Sequence, residues 1–169
     1  MWSPRFLSGP DIRPRLPRRA LLAGILALSA CGLQPVYGPG GAGTRLFGQV
    51  SPADPDTPDE FLFNRRIAER LGPAGGAYAL DYTLHIGVVA QGITADEITT
   101  RYSLNGSADF KLTDAATGTT VTEGRVNNFT SYSATGTTVA TLTAEYDARQ
   151  RLARMLADQV VTRLLAAAP

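Results

Sequence analysis

A chain of 169 residues with 44% hydrophobic and 18% charged residues is long enough for one modest domain with its own core, and its composition excludes a disordered polypeptide. The formal charge of +1 hides an asymmetry, because the first thirty residues hold Arg5, Arg13, Arg15, Arg18 and Arg19 against Asp11 alone. The remainder of the chain is net acidic, by about three charges, and gives no reason to expect nucleic acid as a partner.

The arginines up to Arg18 and Arg19 precede "ALLAGILALSA", an apolar run of the length of a signal-peptide core and too short to be a permanent transmembrane helix. The arginine pair leaves both the general secretory and the twin-arginine export routes open. Leu28-Ser29-Ala30-Cys31 has the Leu-small-small-Cys pattern that resembles a bacterial lipobox. That resemblance implies a diacylglycerol on the Cys31 thiol, cleavage before it, and acylation of the new amino group. Two or more acyl chains anchor stably where one is marginal. Cys31 is the only cysteine, so the mature chain forms no disulfide; the plainer alternative is an unmodified thiol. The next residue is Gly32 rather than the aspartate associated with inner-membrane retention, which points to the periplasmic face of the outer membrane. The expected organisation is a cleaved signal over residues 1–30, a lipidated N-terminus and flexible tether over 31–44, and a single domain over 45–169.

In chain order, "YGPGGAG" from Tyr37 reads as tether, and Arg45 to Val50 as a short first strand. Thr57, Pro58 and Glu60 are an N-cap, a first-turn proline and a capping-box partner. They start a helix whose periodicity groups Phe61, Phe63, Ile67, Ala68 and Leu71 on one face, with Arg65, Arg66 and Glu69 away from it, and Gly72-Pro73 at its end. Tyr78, Leu80, Tyr82, Leu84, Ile86 and Val88 alternate with smaller or polar residues, the period of a half-buried strand. Tyr102, Leu104, Gly106, Ala108, Phe110 and Leu112 alternate likewise. After a turn at Asp114, "TVTEGRVNNFTSYS" predicts a more polar third strand of unclear phase around Val126 to Phe129, consistent with a bulge. From about Val139 a long helix extends, with Leu142, Tyr146, Leu152, Met155, Leu156, Val160 and Leu164 along one face and the i,i+4 pairs Asp147–Arg151 and Arg154–Asp158 on the solvated side.

The order predicts an α+β fold: a small antiparallel sheet, mixed at most, of about four strands, with two α-helices packed on one face. The lipobox, the segment Cys-Gly-Leu-Gln-Pro-Val-Tyr-Gly from Cys31 to Gly38, and this order of elements together resemble the LPS-assembly lipoprotein family LptE. The resemblance implies a non-enzymatic outer-membrane lipoprotein with no cofactor beyond its covalent lipid. Its partners would be lipopolysaccharide and the LptD-type β-barrel, which it would plug and help to assemble. Arg101, Lys111 and Arg125 on the polar sheet face are candidate contacts to LPS anions or to the barrel, since guanidinium groups suit phosphate and carboxylate; each is otherwise a solvated strand residue. Asn127 to Thr138, rich in Asn, Ser and Thr, suits a polar lumen or a plain loop. The alternative function is a lipid-binding auxiliary lipoprotein of an envelope ABC-type transport system. Catalytic signals are lacking: no serine lies in a G-x-S-x-G context, the sole histidine, His85, reads as an exposed strand residue, and no transition-metal spacing is present.

Overall fold

The computed structural model describes residues 36–93 and 99–168. The predicted signal segment and Cys31 lie outside the described residues. Helix α1 (Ala42–Leu46) is followed by strand β1 (Val50–Pro52), helix α2 (Pro58–Leu71), strands β2 (Tyr78–Ile93), β3 (Thr99–Asp114) and β4 (Thr120–Ser133), and helix α3 (Thr138–Ala167).

The four strands form one open sheet in the order β1-β2-β3-β4. β1 runs parallel to β2, and the other neighbours are antiparallel. The single parallel pair follows from the connection: β1 reaches β2 through α2, the crossover a parallel pair needs, whereas β2–β3 and β3–β4 turn back directly. The sheet is thus mixed, with α2 and α3 on one of its faces. Asp114 makes the β3–β4 turn by accepting from the backbone N–H groups of Ala116 and Thr117, each at 2.9 Å.

α2 begins as its residues predict. Thr57 accepts from the Glu60 N–H at 3.2 Å, and the Glu60 carboxylate accepts from the Thr57 N–H at 3.0 Å, a reciprocal capping box. Gly72 ends it at φ 81°, a conformation that glycine takes without steric cost. Leu62, Phe63, Ile67 and Leu71 are its buried residues. The predicted face is corrected at two positions, since Phe61 and Ala68 are exposed and the buried stripe turns toward Leu62 instead. Arg66, expected in solvent, meets Asp158 of α3.

The predicted strand faces hold. Leu80, Leu104, Ala108, Phe110, Leu112 and Val126 are buried with Leu152, Leu156, Val160 and Leu164 of α3 in one core. α3 lies so close to the sheet that a Cβ on Gly106 would come within 3.0 Å of both Leu152 Cδ2 and Leu156 Cδ1. The β3–β4 register runs unbroken from Arg101↔Ser133 to Leu112↔Thr122, with its irregularity at Leu112/Thr113 rather than at Val126 to Phe129.

Three further expectations are corrected. The stretch read as tether running into a strand at Arg45 contains α1, because Val36 accepts from Gly43 N–H at 2.8 Å and Gly38 from Gly41 N–H at 2.9 Å, wrapping the glycine-rich chain into a turn. Its Leu46 enters the core. On α3, Leu142 and Tyr146 are 60% and 58% exposed rather than buried with the rest of their face. Asp158 pairs across to Arg66 and Arg70 of α2 instead of with Arg154, while the Asp147–Arg151 pair forms as predicted.

Candidate functional site

With both helices on one side, no described residue forms a second layer on the opposite face of the sheet. Odd-numbered residues of β2, β3 and β4 point there, in cross-strand rows set by the register. Two charged rows, Asp81–Lys111–Glu123 and Thr83–Asp109–Arg125, lie toward the β3–β4 turn. Next come two short-chain rows, His85–Ser107–Asn127 and Gly87–Asn105–Phe129. The last are Val89–Ser103–Ser131 and Gln91–Arg101–Ser133.

This arrangement separates the three candidate cations. Arg125 is occupied: its Nε and Nη2 donate to the two carboxylate oxygens of Asp109 at 2.6 and 2.7 Å, the bidentate geometry that matches a carboxylate. The same contact holds the Asp109 carboxyl below its usual range and raises the Arg125 guanidinium. Lys111 stands in register between two acids, Asp81 and Glu123. Arg101 has no ion-pair partner among the described residues and neighbours Gln91 and Ser133 in register. Ten residues of one strand separate Arg101 from Lys111, about 33 Å. No single anion could be held by all three.

Between these ends lies a shallow depression lined by His85, Gly87, Asn105, Ser107, Asn127 and Phe129. Its floor is short because glycine, serine and asparagine occupy it, and Phe129, 70% exposed, stands as its wall. The groups on offer are amide and hydroxyl donors and acceptors and one aromatic face. Such a surface hydrogen-bonds polar or hydroxylated partners. Among the described residues no group of His, Cys, Asp and Glu is placed to hold a metal ion, and no helix is long and apolar enough to cross a membrane.

A second cluster was invisible in the periodicity. Asp158 accepts from Arg66 Nε at 3.0 Å and Nη2 at 3.1 Å and from Arg70 Nη1 at 2.8 Å. Arg70 Nη2 donates in turn to the Tyr37 hydroxyl at 3.2 Å. The Tyr37 ring packs over Gly43, where a Cβ would lie 2.9 Å from the Val36 carbonyl oxygen and clash with the ring. Tyr37 is therefore tied to the helix pair. The signal in the sequence was Tyr37 within "PVYG", whose partner is 33 residues away.

A family model described as LptE, lipopolysaccharide-assembly, matches residues 49–164. Three solved structures share the fold. A lipoprotein from Caulobacter crescentus has 20% identity and a TM-score of 0.61, covering 74% of this chain and 93% of that one. The rare lipoprotein B from Shewanella oneidensis has 12% identity and a TM-score of 0.53, covering 70% and 92%. A minor lipoprotein from Acinetobacter baumannii has 16% identity and a TM-score of 0.51, covering 71% and 92%. No curated protein matches the chain significantly.

Proposed function

The chain belongs to the LptE family of lipopolysaccharide-assembly lipoproteins, and from that premise we propose that it is anchored through lipid on Cys31 at the periplasmic face of the outer membrane. There it serves as a non-enzymatic plug that assists assembly of an LptD-type β-barrel and delivery of LPS to the outer leaflet. The observation that carries this reading is the unlayered polar face of the sheet. Ser107, Asn105, Asn127, Ser131 and Ser133 place short hydrogen-bonding side chains on that face in cross-strand rows, and the lumen of an outer-membrane barrel is polar. Such a face can hydrogen-bond the side chains of a polar lumen, and the Asp109–Arg125 pair on it is already neutralised.

Within this reading Arg101 is the cation best placed to meet an LPS phosphate or a barrel carboxylate, because Arg125 is already paired with Asp109 and Lys111 is bracketed by acids. The test is co-purification from outer membranes through a tag after Pro169. A stable complex with a β-barrel protein, and loss of surface LPS on depletion, are the expected results; an assembled barrel and normal surface LPS after depletion refute the plug. Cys31→Ser is expected to abolish lipid incorporation and membrane retention, and persistence of both refutes the anchor.

A further inference from the structure

β2 is a 16-residue strand, about 53 Å long, whereas α2 with its 14 residues spans about 21 Å. Phe63, the sixth residue of α2, packs on Tyr82, the fifth residue of β2, with ring centroids 4.8 Å apart, so α2 lies alongside the first part of the strand. Beyond that point no described helix lies over the inner face of β2, and Leu84 and Ile86 are half-buried and Val88 is 43% exposed. α3 continues past α2 in the same direction. Arg149 meets Asp59, one residue inside the start of α2, at 3.0 Å. N-terminal to Arg149 the same helical stripe goes on with Tyr146, Leu142 and Val139, all more than half exposed.

The backbone is open here too. β1 pairs only with Tyr78, Ala79 and Leu80, with the Tyr78 N–H donating to Gln49 and the Leu80 carbonyl accepting from Ala53. Even-numbered residues of β2 therefore turn their N–H and C=O toward the sheet edge, and from Leu84 to Ala90 no described strand receives them. Edge strands are usually blunted by charge or proline. The opposite edge, β4, carries Glu123 and Arg125, whereas between Tyr82 and Ile93 the sequence has neither proline nor any ionisable side chain except His85.

We propose that the β2 edge from Leu84 to Ala90, with the exposed apolar side chains of the first turns of α3, is a docking site for an extended, uncharged polypeptide segment that adds as a strand to the sheet. On the LptE reading, on which this rests, the barrel protein supplies that segment. The edge provides the ladder hydrogen bonds, and alternate side chains of the incoming strand cover the exposed apolar groups Val88 of β2 and Leu142 and Tyr146 of α3, the usual division of labour in strand addition. The neutrality of the edge selects a neutral occupant, since a charged residue there would be desolvated without a partner.

The experiment places a photoreactive amino acid at Val88, at Leu142 and, as a control, at Phe61, which is exposed on the far side of α2, and purifies the full-length protein with its barrel. Adducts to the barrel from positions 88 and 142 but not from 61 are expected. Val88→Pro removes an edge-facing N–H while sparing the ladder to β3, and is expected to lower barrel recovery at least tenfold. Should that variant melt markedly lower, Val88→Lys, which puts a charge on an already exposed position, decides in its place. The proposal is overturned if barrel recovery is undiminished in the Lys variant, or if the adducts from 88 join two copies of this chain, stay within one chain or trap only lipid. Absence of the barrel from preparations of the unaltered protein overturns the LptE reading and this inference together, whereas undiminished barrel on the variants overturns this inference alone.

Discussion

Replacing Leu156 and Leu142 separately by alanine puts numbers on the difference between the two halves of α3. Leu156 is fully buried and lies against the Gly106 position of the sheet. Its truncation removes three carbons at about 0.8 kcal/mol each and leaves a cavity that cannot collapse against a backbone already in contact, for a cost of about 3 to 4 kcal/mol. Leu142 is 60% exposed, so its truncation forfeits about 1 kcal/mol or less. For a domain of this size that difference corresponds to a fall in Tm of about 10 °C for the first variant against about 3 °C for the second. Urea unfolding at neutral pH, followed by far-ultraviolet circular dichroism, measures both, with the slope expected to stay constant. Equal costs at the two positions in the isolated protein would refute the argument, because the start of α3 would then be covered without any partner.

Thr57→Ala removes the hydroxyl that accepts from Glu60 and is expected to lower stability by about 1 kcal/mol in the same denaturation assay. Asp158→Asn strips the shared acceptor from Arg66 and Arg70; because the group is about one-third exposed, solvent screening limits the expected loss to about 1 kcal/mol, and high salt reduces it further. Tyr82 has its phenol pushed up to about 12 by burial, with the nearby Glu60 carboxylate adding to the shift. The folded value lies above the unfolded one, so this contribution is complete below about pH 10 and is lost as pH rises from about 10 to 12. Tyr82→Phe is expected to flatten the alkaline limb of stability over that window, and an unchanged limb would show that another group governs it.

The elements were legible because each carries a local signal. The Thr57–Glu60 box, the alternation in β2 and β3 and the uninterrupted run after Val139 all predict structure through contacts a few residues apart, and all three are present in the fold. The long-range pairing was not legible. Arg66 and Asp158 are 92 residues apart, and helical spacing assigned each of them to a solvated side because spacing alone cannot say which neighbouring helix arrives. The same limit hid the separation of Arg101, Lys111 and Arg125. Alternation correctly placed them on one face, but only the register shows Asp109 opposite Arg125 and Lys111 between two acids. α1 was missed because its short span sits in a glycine-rich stretch full of breaker signals, and its helical turn is held by Tyr37 and Leu46 rather than by propensity.

Leu142, Tyr146 and Val88 share the apolar period of their elements and yet are exposed, and the reason is length. An apolar stripe reports that a face is to be covered without reporting by which chain. α2 stops short of the distal half of β2, and no described residue takes over where it stops. Hydrophobic surface of this kind lowers solubility and invites aggregation, a liability that a monomer has no reason to carry. The stripe on α3 is continuous from Val139 to Leu164, buried where α2 lies alongside and open where it does not. On the strand-addition proposal, that continuity makes the open half the ground for the incoming segment, on the helix side of the sheet edge, and leaves the polar face free to meet a different surface.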